Sequence, residues 1–541
     1  MGAAADIPQD VWSLIAQYLP RDRQLYALIS LNRAFYNIIL DDRYRVLRWD
    51  KLDHEMVKSL ARLRTPSIAR RVRRLHVFAW FIHYLARKAE APRPPPLPRM
   101  FSAQQFIVKH IRLAFALGSS PLHGGPPVPK DVLASMTDAV RLMTNVTEYT
   151  FEWRDLPATP PTQNFLLAAR AAFGVSLRKL TLNAQLDKFS SLLSTVDFDN
   201  LEDLALFFDH DNAPPGPNER TASLLCDSLV PFISHFRRSL NALAISSASK
   251  ADLSPLFHAL ASETIPHLHR LSISLAFDAA TLSDPTGIIR ILQVNAESLD
   301  RVEISRAAVN MHPARGDPPK ASSTWVLFSA ALHQPAVLSG LETLKLSVLA
   351  SPSDTIYTEE AVAFPASLAC IRRSADTLTN LALANHFLTE KEFRSLLDVF
   401  AHRPLDRGLR ALHIGLQFLS IEVFDLLSQR ASGLRLLYLV LPRTVVLATA
   451  HTFQSSDRGQ DREFCVQLHS RKYTDWPLED IGIWERRFVE THVAAPFNEE
   501  VELMKHIAAR IPSVRLMRGV EIVAKAQPVC SRWKQLDAGS G

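Results

Sequence analysis

A short apolar pattern recurs along most of the chain and constrains its fold more than any other feature. The unit is an apolar residue, two variable residues, a second apolar residue, one variable residue and a third apolar residue. Ten copies follow one another, beginning at Val146, Leu177, Leu201, Leu240, Leu268, Leu299, Leu341, Leu378, Leu409 and Leu434. Side chains alternate between the two faces of a strand, so the second and third apolar positions share a face. We therefore predict one buried β-strand per copy.

Two further copies are weaker. An early outlying copy is formed by Val72, Leu75 and Val77, and a degenerate last one is predicted near Val514 and Leu516. Segments with helical spacing separate the copies, for example residues 165–173, 224–236 and 390–402. Because each strand is reached through a helix, neighbouring strands should be parallel. Such units bury their apolar faces only when they are stacked side by side.

This repeat resembles the leucine-rich repeats that accompany some F-box domains. From the copy at Leu177 onwards the starts lie 24 to 42 residues apart, against roughly 20–29 residues in ordinary leucine-rich repeats. Loop insertions such as residues 212–219 explain much of the excess. The sequence therefore predicts an α/β fold that contains an irregular leucine-rich-repeat-like solenoid with parallel strands. An ordinary α/β sheet is the alternative.

The N-terminal segment, residues 6–49, has a different pattern. Pro8 suits a helix start, Asp10 adds favourable negative charge to the first turn, and Pro20 should end the helix. Three apolar stripes at helical spacing predict three short helices: Val11, Leu14, Ile15 and Tyr18; Leu25, Leu28 and Ile29; Phe35, Ile38 and Ile39. About 40 residues bury little alone. The segment is therefore either a cap on the next domain or a module that docks its spare apolar face into a partner.

These N-terminal residues resemble an F-box. The resemblance is carried by Ile7-Pro8-Gln9-Asp10-Val11-Trp12, Ile15, Leu19-Pro20, Leu25-x-x-Leu28 and Leu31-Asn32-Arg33-x-Phe35-Tyr36. It implies binding to the Skp-type adaptor of a cullin-RING ubiquitin ligase. The adaptor-binding residues that it implies are Ile7, Pro8, Val11, Ile15, Leu19, Pro20, Leu25 and Leu28. The remainder of the chain would then bind a protein substrate.

The last hundred residues depart from the regular repeat. A charged loop at 455–463 precedes an aromatic stretch at 473–484, and residues 499–510 have helical spacing. We predict a C-terminal cap here, with Glu479 and Asp480 on its solvated surface. The Trp-Pro-Leu-Glu-Asp and Ile-Trp-Glu-Arg elements, like the whole layout, resemble basidiomycete-type fungal F-box proteins. The predicted domains are an F-box (3–50), a helical linker with proline-rich loops and the first repeat (51–145), the solenoid (146–445), the cap (446–525) and a flexible tail (526–541).

Composition limits the other possibilities. The net charge of +6 is small for 541 residues, and no basic run alternates with aromatic residues, so nucleic acid is not an expected partner. No stretch of 18 apolar residues occurs, and membrane insertion is not expected. The four cysteines, Cys226, Cys370, Cys465 and Cys530, lie far apart in sequence, which is typical of a reducing compartment and of a chain without a metal site. We expect a cytoplasmic or nuclear protein.

The sequence gives little indication of catalysis. It contains no GxxxxGK[ST], GxGxxG, GxSxG or HExxH motif, and we expect no enzyme activity and no cofactor. The polar cluster Phe207-Phe208-Asp209-His210-Asp211, predicted just beyond a strand, is a candidate contact surface or a solvated loop. The resemblance implies a substrate-receptor subunit of an SCF-type ubiquitin ligase. The alternative is a leucine-rich-repeat scaffold or inhibitor unrelated to ubiquitin.

Overall fold

The structure is a computed structural model. It describes residues 7–19, 28–78, 82, 129–154, 159–194, 198–209, 224–306, 323–334, 338–347, 357–401, 403, 408–441, 467–485, 498–517 and 520–521. The chain divides into two compact units, Met1–Lys250 and Ala251–Gly541. The predicted tail and the proline-rich loop at 91–98 lie outside the described residues.

The first unit alternates helices and strands. Its described strands are β1 (Val46–Trp49), β2 (Arg74–Phe78), β3 (Glu148–Arg154), β4 (Lys179–Gln185), β5 (Asp203–Asp209) and β6 (Ala242–Ser247). Its described helices are α1 (Gln9–Tyr18), α2 (Arg33–Arg45), α3 (His54–Leu63), α4 (Pro66–Ala69), α5 (Pro129–Arg141), α6 (Pro160–Phe173), α7 (Phe189–Leu193) and α8 (Val230–His235). A 3₁₀ turn (Leu186–Lys188) precedes α7, and a π-helical turn (Leu225–Leu229) leads into α8.

The second unit repeats the same alternation. Its described strands are β7 (Arg270–Leu275), β8 (Arg301–Arg306), β9 (Thr343–Ser347), β10 (Asn380–Leu388), β11 (Ala411–Leu416), β12 (Leu436–Leu441), β13 (Asp480–Glu485), β14 (Leu516–Met517) and β15 (Val520–Glu521). Its described helices are α9 (Ser254–Ala261), α10 (Thr286–Val294), α11 (Ser323–Leu332), α12 (Tyr357–Ser374), α13 (Glu390–Asp398), α14 (Ile421–Arg430) and α15 (Asn498–Ala508). None of the described helices combines the length and the apolar character that a bilayer crossing requires.

Within each unit, consecutive strands pair in parallel, as the sequence predicts. In the first unit the second apolar positions align as Leu75, Tyr149, Leu180, Leu204 and Leu243. In the second unit they align as Leu271, Val302, Leu344, Leu381, Leu412, Leu437 and Ile481. These side chains are buried against the helices, at most 2% exposed. The predicted register is therefore confirmed, and β15 departs from it by pairing antiparallel with β14.

A backbone ladder joins the corners at which the strands begin. In most copies, the carbonyl that directly follows the first apolar residue accepts hydrogen bonds from two N–H groups of the next copy. The carbonyl of Arg178, for example, accepts from Glu202 and Asp203 at 2.8 and 2.9 Å. In the second unit the carbonyl of Arg410 does the same for Arg435 and Leu436. The ladder pairs backbone groups that lie outside the hydrogen bonds of the helices and strands.

A hydroxyl side chain often strengthens this corner. Ser176, Ser239 and Thr377 each precede the first apolar residue of a copy. Their hydroxyls donate to the carbonyl of the first apolar residue in the preceding copy, for example from Ser239 to Leu201 at 2.8 Å. These hydroxyls also bond the last turn of the preceding helix or the turn that follows it. One side chain therefore ends a helix and ties two copies together, a role that apolar spacing alone does not reveal.

Two further copies of the repeat escaped the sequence analysis. Tyr44, Leu47 and Trp49 carry the pattern into β1, which pairs in parallel with β2 inside the segment assigned to the F-box. Leu478, Ile481 and Ile483 carry it into β13, inside the segment assigned to the cap. All six side chains are less than 9% exposed. The parallel strands therefore begin before residue 50 and continue beyond residue 445.

The buried register gives a direct stability prediction. Leu344 is fully buried between neighbouring copies, whereas Leu327 on α11 of the same unit is 57% exposed. Leu344→Ala should lower the free energy of unfolding by about 2–5 kcal/mol, because the lost methyl groups leave a cavity. Leu327→Ala, the matched control, should change it by no more than about 0.5 kcal/mol. Chemical denaturation measures both, and equal small effects would contradict the assigned register.

Candidate functional site

Local backbone features define the two ends of the first helix, α1. Pro8 precedes α1 in an extended conformation, and its carbonyl accepts the N–H groups of Val11 and Trp12 at 3.1 and 3.4 Å. Asp10 lies in the first turn, where a negative charge is favourable. The helix ends at Tyr18, and the backbone of the following residue, Leu19, is extended. The predicted helix start is confirmed, and Pro20 lies outside the described residues.

One side of α1 packs against α2. The ring of Trp12 lies 5.3 Å from that of Phe35, between ring centroids. Ala16, Phe35 and Ile39 form a small buried cluster. Trp12, Leu19, Leu28 and Ile38 pack against this cluster as partly buried side chains. This side of the helix therefore stabilises the module itself.

A second side of α1, next to the packed one, is bare. Its apolar side chains are Val11, Leu14, Ile15 and Tyr18, which are 43%, 53%, 39% and 82% exposed. Their spacing places them on one continuous stripe of the helix surface. We call these four residues the bare face of α1. Four large apolar side chains exposed together on one short helix make this face a candidate binding surface.

The implied adaptor-binding residues divide into three groups. Pro8, Val11 and Ile15 are exposed, with Val11 and Ile15 on the bare face, and Ile7 is half-buried. Leu19 and Leu28 are half-buried against the small cluster with α2. Pro20 and Leu25 lie outside the described residues, together with the middle of the predicted second helix. The resemblance did not name Leu14 or Tyr18, although both belong to the apolar stripe visible in the sequence.

The second helix is fastened to the first repeat by polar contacts. The side-chain oxygen of Asn32 accepts the N–H of Phe35 at 2.8 Å and caps the start of α2. Arg71, which follows α4, donates to the backbone carbonyl and the side-chain oxygen of Asn37 at 3.1 and 2.9 Å. The same guanidinium binds the Asp41 carboxylate at 2.6 Å. Since α2 runs directly into β1, the bare face is presented from a helix pair anchored to the sheet of the first unit.

A second candidate site is a row of residues on the outward face of β9 to β13, opposite the buried side. Strand register places Lys345, Ala382, His413, Tyr438 and Gly482 in one row. The rings of His413 and Tyr438 meet edge to face, 6.0 Å apart. Small neighbours at the positions of Ala382 and Gly482 leave these rings the largest side chains of the row. This row is a candidate contact surface for the repeat domain.

Asp480, two residues before Gly482 on β13, corrects a sequence interpretation. Asp480, predicted on a solvated cap surface, is only 2% exposed, because it lies on β13 within the sheet. The Tyr438 hydroxyl donates to its Oδ2 at 2.6 Å. Burial, then the hydrogen bond to Asp480 and its charge, raise the pKa of Tyr438 to about 12. Burial and the charge of Lys345 lower the pKa of His413 to about 4, so its imidazole is neutral near pH 7.

The polar cluster after the third copy is also placed differently from the prediction. Phe207, Phe208 and Asp209 belong to β5 itself and not to a loop beyond it. Phe208 is buried, whereas Phe207 is 37% exposed on the outward face. His210 and Asp211 lie outside the described residues. Elsewhere in the described part of the chain, no group of three or more His, Cys, Asp or Glu side chains is close enough to hold a metal ion.

Comparisons with known proteins add no assignment. No protein-family model matches the chain, and no curated protein matches it either. The functional interpretation therefore depends on the residues and geometry of this chain, with the bare face of α1 as the leading site and the outward row of the second unit as the next.

The Tyr438–Asp480 contact predicts a pH dependence. Below pH 10 the phenol is protonated in both the folded and the unfolded chain, so the contact contributes fully. Above pH 10 the unfolded chain releases this proton first, because the folded pKa is about 12. The stability difference between the native protein and Tyr438→Phe should therefore shrink as the pH rises from 10 towards 12, as measured by denaturation.

An Asp480→Asn background is the control for this prediction. Without the carboxylate, the same pair of proteins should show a smaller change over that pH range. A difference that stays constant with pH in the native background would contradict the assigned contact.

Proposed function

We propose that the chain is a receptor subunit that docks through the bare face of α1 onto a Skp-type adaptor and so recruits a bound protein to a cullin-RING ubiquitin ligase. The single observation that supports this proposal is the division of α1 into a packed side and a bare side. Val11, Ile15 and Tyr18 follow the i, i+4, i+7 spacing with which an amphipathic helix enters an apolar groove. The F-box resemblance includes Val11 and Ile15 but not Tyr18.

The docking surface suits an apolar partner groove. Tyr18 is an aromatic residue with a polar tip, a type enriched among the residues that dominate binding energies. Its 82% exposure in the free chain means that burial by a partner would remove most of its surface from water. The packed side of α1 remains covered by α2 during docking, so binding requires no opening of the module.

The repeat domain supplies the second half of the proposed function. Outward positions of the strands carry polar side chains. For example, the ammonium group of Lys345 lies 3.4 Å from the carboxylate of Glu303. An outward sheet face built from many copies offers separate contact points along an extended partner. We assign substrate binding to this face, with the row from Lys345 to Tyr438 as its leading part.

Charge substitutions on the bare face test the docking step. In the full chain, co-expressed with a Skp-type adaptor, Val11→Glu or Tyr18→Glu should weaken adaptor binding by roughly thirtyfold or more, because an apolar anchor at the centre of an interface contributes about 2 kcal/mol. The matched control is Leu167→Glu on α6, since Leu167 and Val11 are both 43% exposed. The control should bind the adaptor as the native chain does.

Thermal melting completes this test. Both bare-face variants should melt as the native chain does, because their side chains are exposed in the free protein. Leu19→Ala is a poorer probe, since Leu19 packs inside the module. Full adaptor binding by both bare-face variants would exclude docking through α1, and the repeat domain would then be better described as a scaffold or inhibitor.

A further inference from the structure

A cluster of exposed arginines lies where the first two strands begin. Arg45 directly precedes β1, which contains Arg48, and Arg73 directly precedes β2, which begins with Arg74. The N–H of Arg73 donates to the carbonyl of Arg45 at 3.0 Å, so these two residues are neighbours across the strands. All four arginines are exposed. We call these four residues the basic patch.

Few negative charges offset the basic patch. Among the described residues, Glu148 on β3 is the one carboxylate that forms an ion pair with it, through Arg74 at 2.9 Å. Arg73 donates instead to the backbone carbonyl of Asn145, at 3.3 Å. The four guanidinium groups therefore outnumber the carboxylates that they contact, and the surface of β1 and β2 carries an excess of positive charge.

Two neighbouring rings surround the Arg48 side chain. Its guanidinium lies over the ring of Phe78, 5.8 Å from the centroid. A guanidinium stacked on a ring keeps its in-plane N–H donors for an acceptor. His76 aligns with Arg48 across the strands. Burial lowers the pKa of His76 and the charge of Arg48 lowers it further, whereas the charge of Glu148 raises it.

The charge pattern changes beyond β2. The outward row that begins with Arg74 continues with Glu148, Lys179 and Asp203 on β3, β4 and β5, so the signs alternate. The basic patch covers two adjacent strands over about four residues, which corresponds to roughly 10–13 Å along the strands. A nucleic-acid strand carries evenly spaced phosphates well beyond this length. The patch therefore matches a few carboxylates of a short peptide better than a nucleic acid.

We propose that the basic patch binds a short acidic peptide segment of a partner protein. Side chains on one face of an extended peptide lie about 6.6 Å apart, so successive carboxylates meet different arginines of the patch. Arginine binds a carboxylate through two parallel hydrogen bonds. Val46, which is 42% exposed between Arg45 and Arg48, adds an apolar contact for the stem of a glutamate side chain. The proposal does not depend on docking through α1, and its test needs no adaptor.

Peptides of matched length test this proposal in the full chain. A labelled peptide of alternating glutamate and serine should bind saturably in fluorescence anisotropy, and added salt should weaken binding because exposed charges are screened. The corresponding glutamine–serine peptide should bind at least roughly tenfold more weakly, a loss of about 1.4 kcal/mol. Equal affinity for the two peptides, or no saturable binding of the glutamate peptide, would overturn the proposal. Tighter binding of a single-stranded oligonucleotide of equal charge would exclude the peptide as the preferred ligand.

Two double variants with the same net charge locate the site. Arg48→Gln with Arg73→Gln should weaken binding of the glutamate peptide by roughly tenfold or more, because two of the four guanidinium groups are lost. The matched control is Arg141→Gln with Arg178→Gln, which removes two exposed arginines of the same unit that pair with other carboxylates at 3.1 Å. The control should keep the native affinity. Equal losses in the two proteins would indicate a general charge effect and overturn the assignment.

One substitution should strengthen binding. Glu148→Gln removes the carboxylate that competes for Arg74, so the glutamate peptide should bind roughly twofold to fivefold more tightly. Thermal melting should stay close to that of the native chain, because an exposed ion pair contributes little to stability. Unchanged or weaker peptide binding by this variant would contradict the placement of the peptide on the basic patch.

Discussion

The bonding of one corner carbonyl to two N–H groups of the next copy is the constraint on which the rest of the structure depends. It fixes where each strand begins, and the apolar residue just before that carbonyl is buried at every corner, as Leu177 and Leu409 show. The chain between corners can then vary in length, since longer loops add little closure entropy. This explains how starts 24 to 42 residues apart still give strands in register.

The same corner bonding attaches the N-terminal helix pair, α1 and α2, to the first unit. The second helix of the pair leads without a break into β1, and Arg71 binds both Asn37 and Asp41 of that helix. The corner carbonyl of Arg45 accepts the N–H of Arg73 at 3.0 Å. The helix pair is therefore an extension of the first unit, and α1 is its outermost element. A partner bound on the bare face would be held by a helix pair anchored to that unit.

Particular residues show why some elements were predictable and others were not. Leucine-rich copies were found because their apolar positions recur with fixed spacing. The copies at Tyr44 and Leu478 are harder to recognise in the sequence, because Tyr44 and Trp49 stand where other copies have aliphatic residues and because Gly482 separates Ile481 from Ile483. The hydroxyls of Ser239 and Thr377 carry a signal in the sequence, a Ser or Thr directly before the first apolar residue. That signal becomes meaningful only when the carbonyl that accepts the hydrogen bond is known.

The sequence by itself determined the alternation of strands and helices, the parallel pairing and the inward positions, since all of these follow from local periodicity. It also marked the apolar stripe of α1. Only the tertiary structure decided which side of α1 is covered by Phe35 and Ile39, and that Asp480 is buried beside Tyr438. Each of these depends on contacts between residues distant in sequence. Local periodicity cannot specify such contacts, because it states which face is apolar and not what covers it.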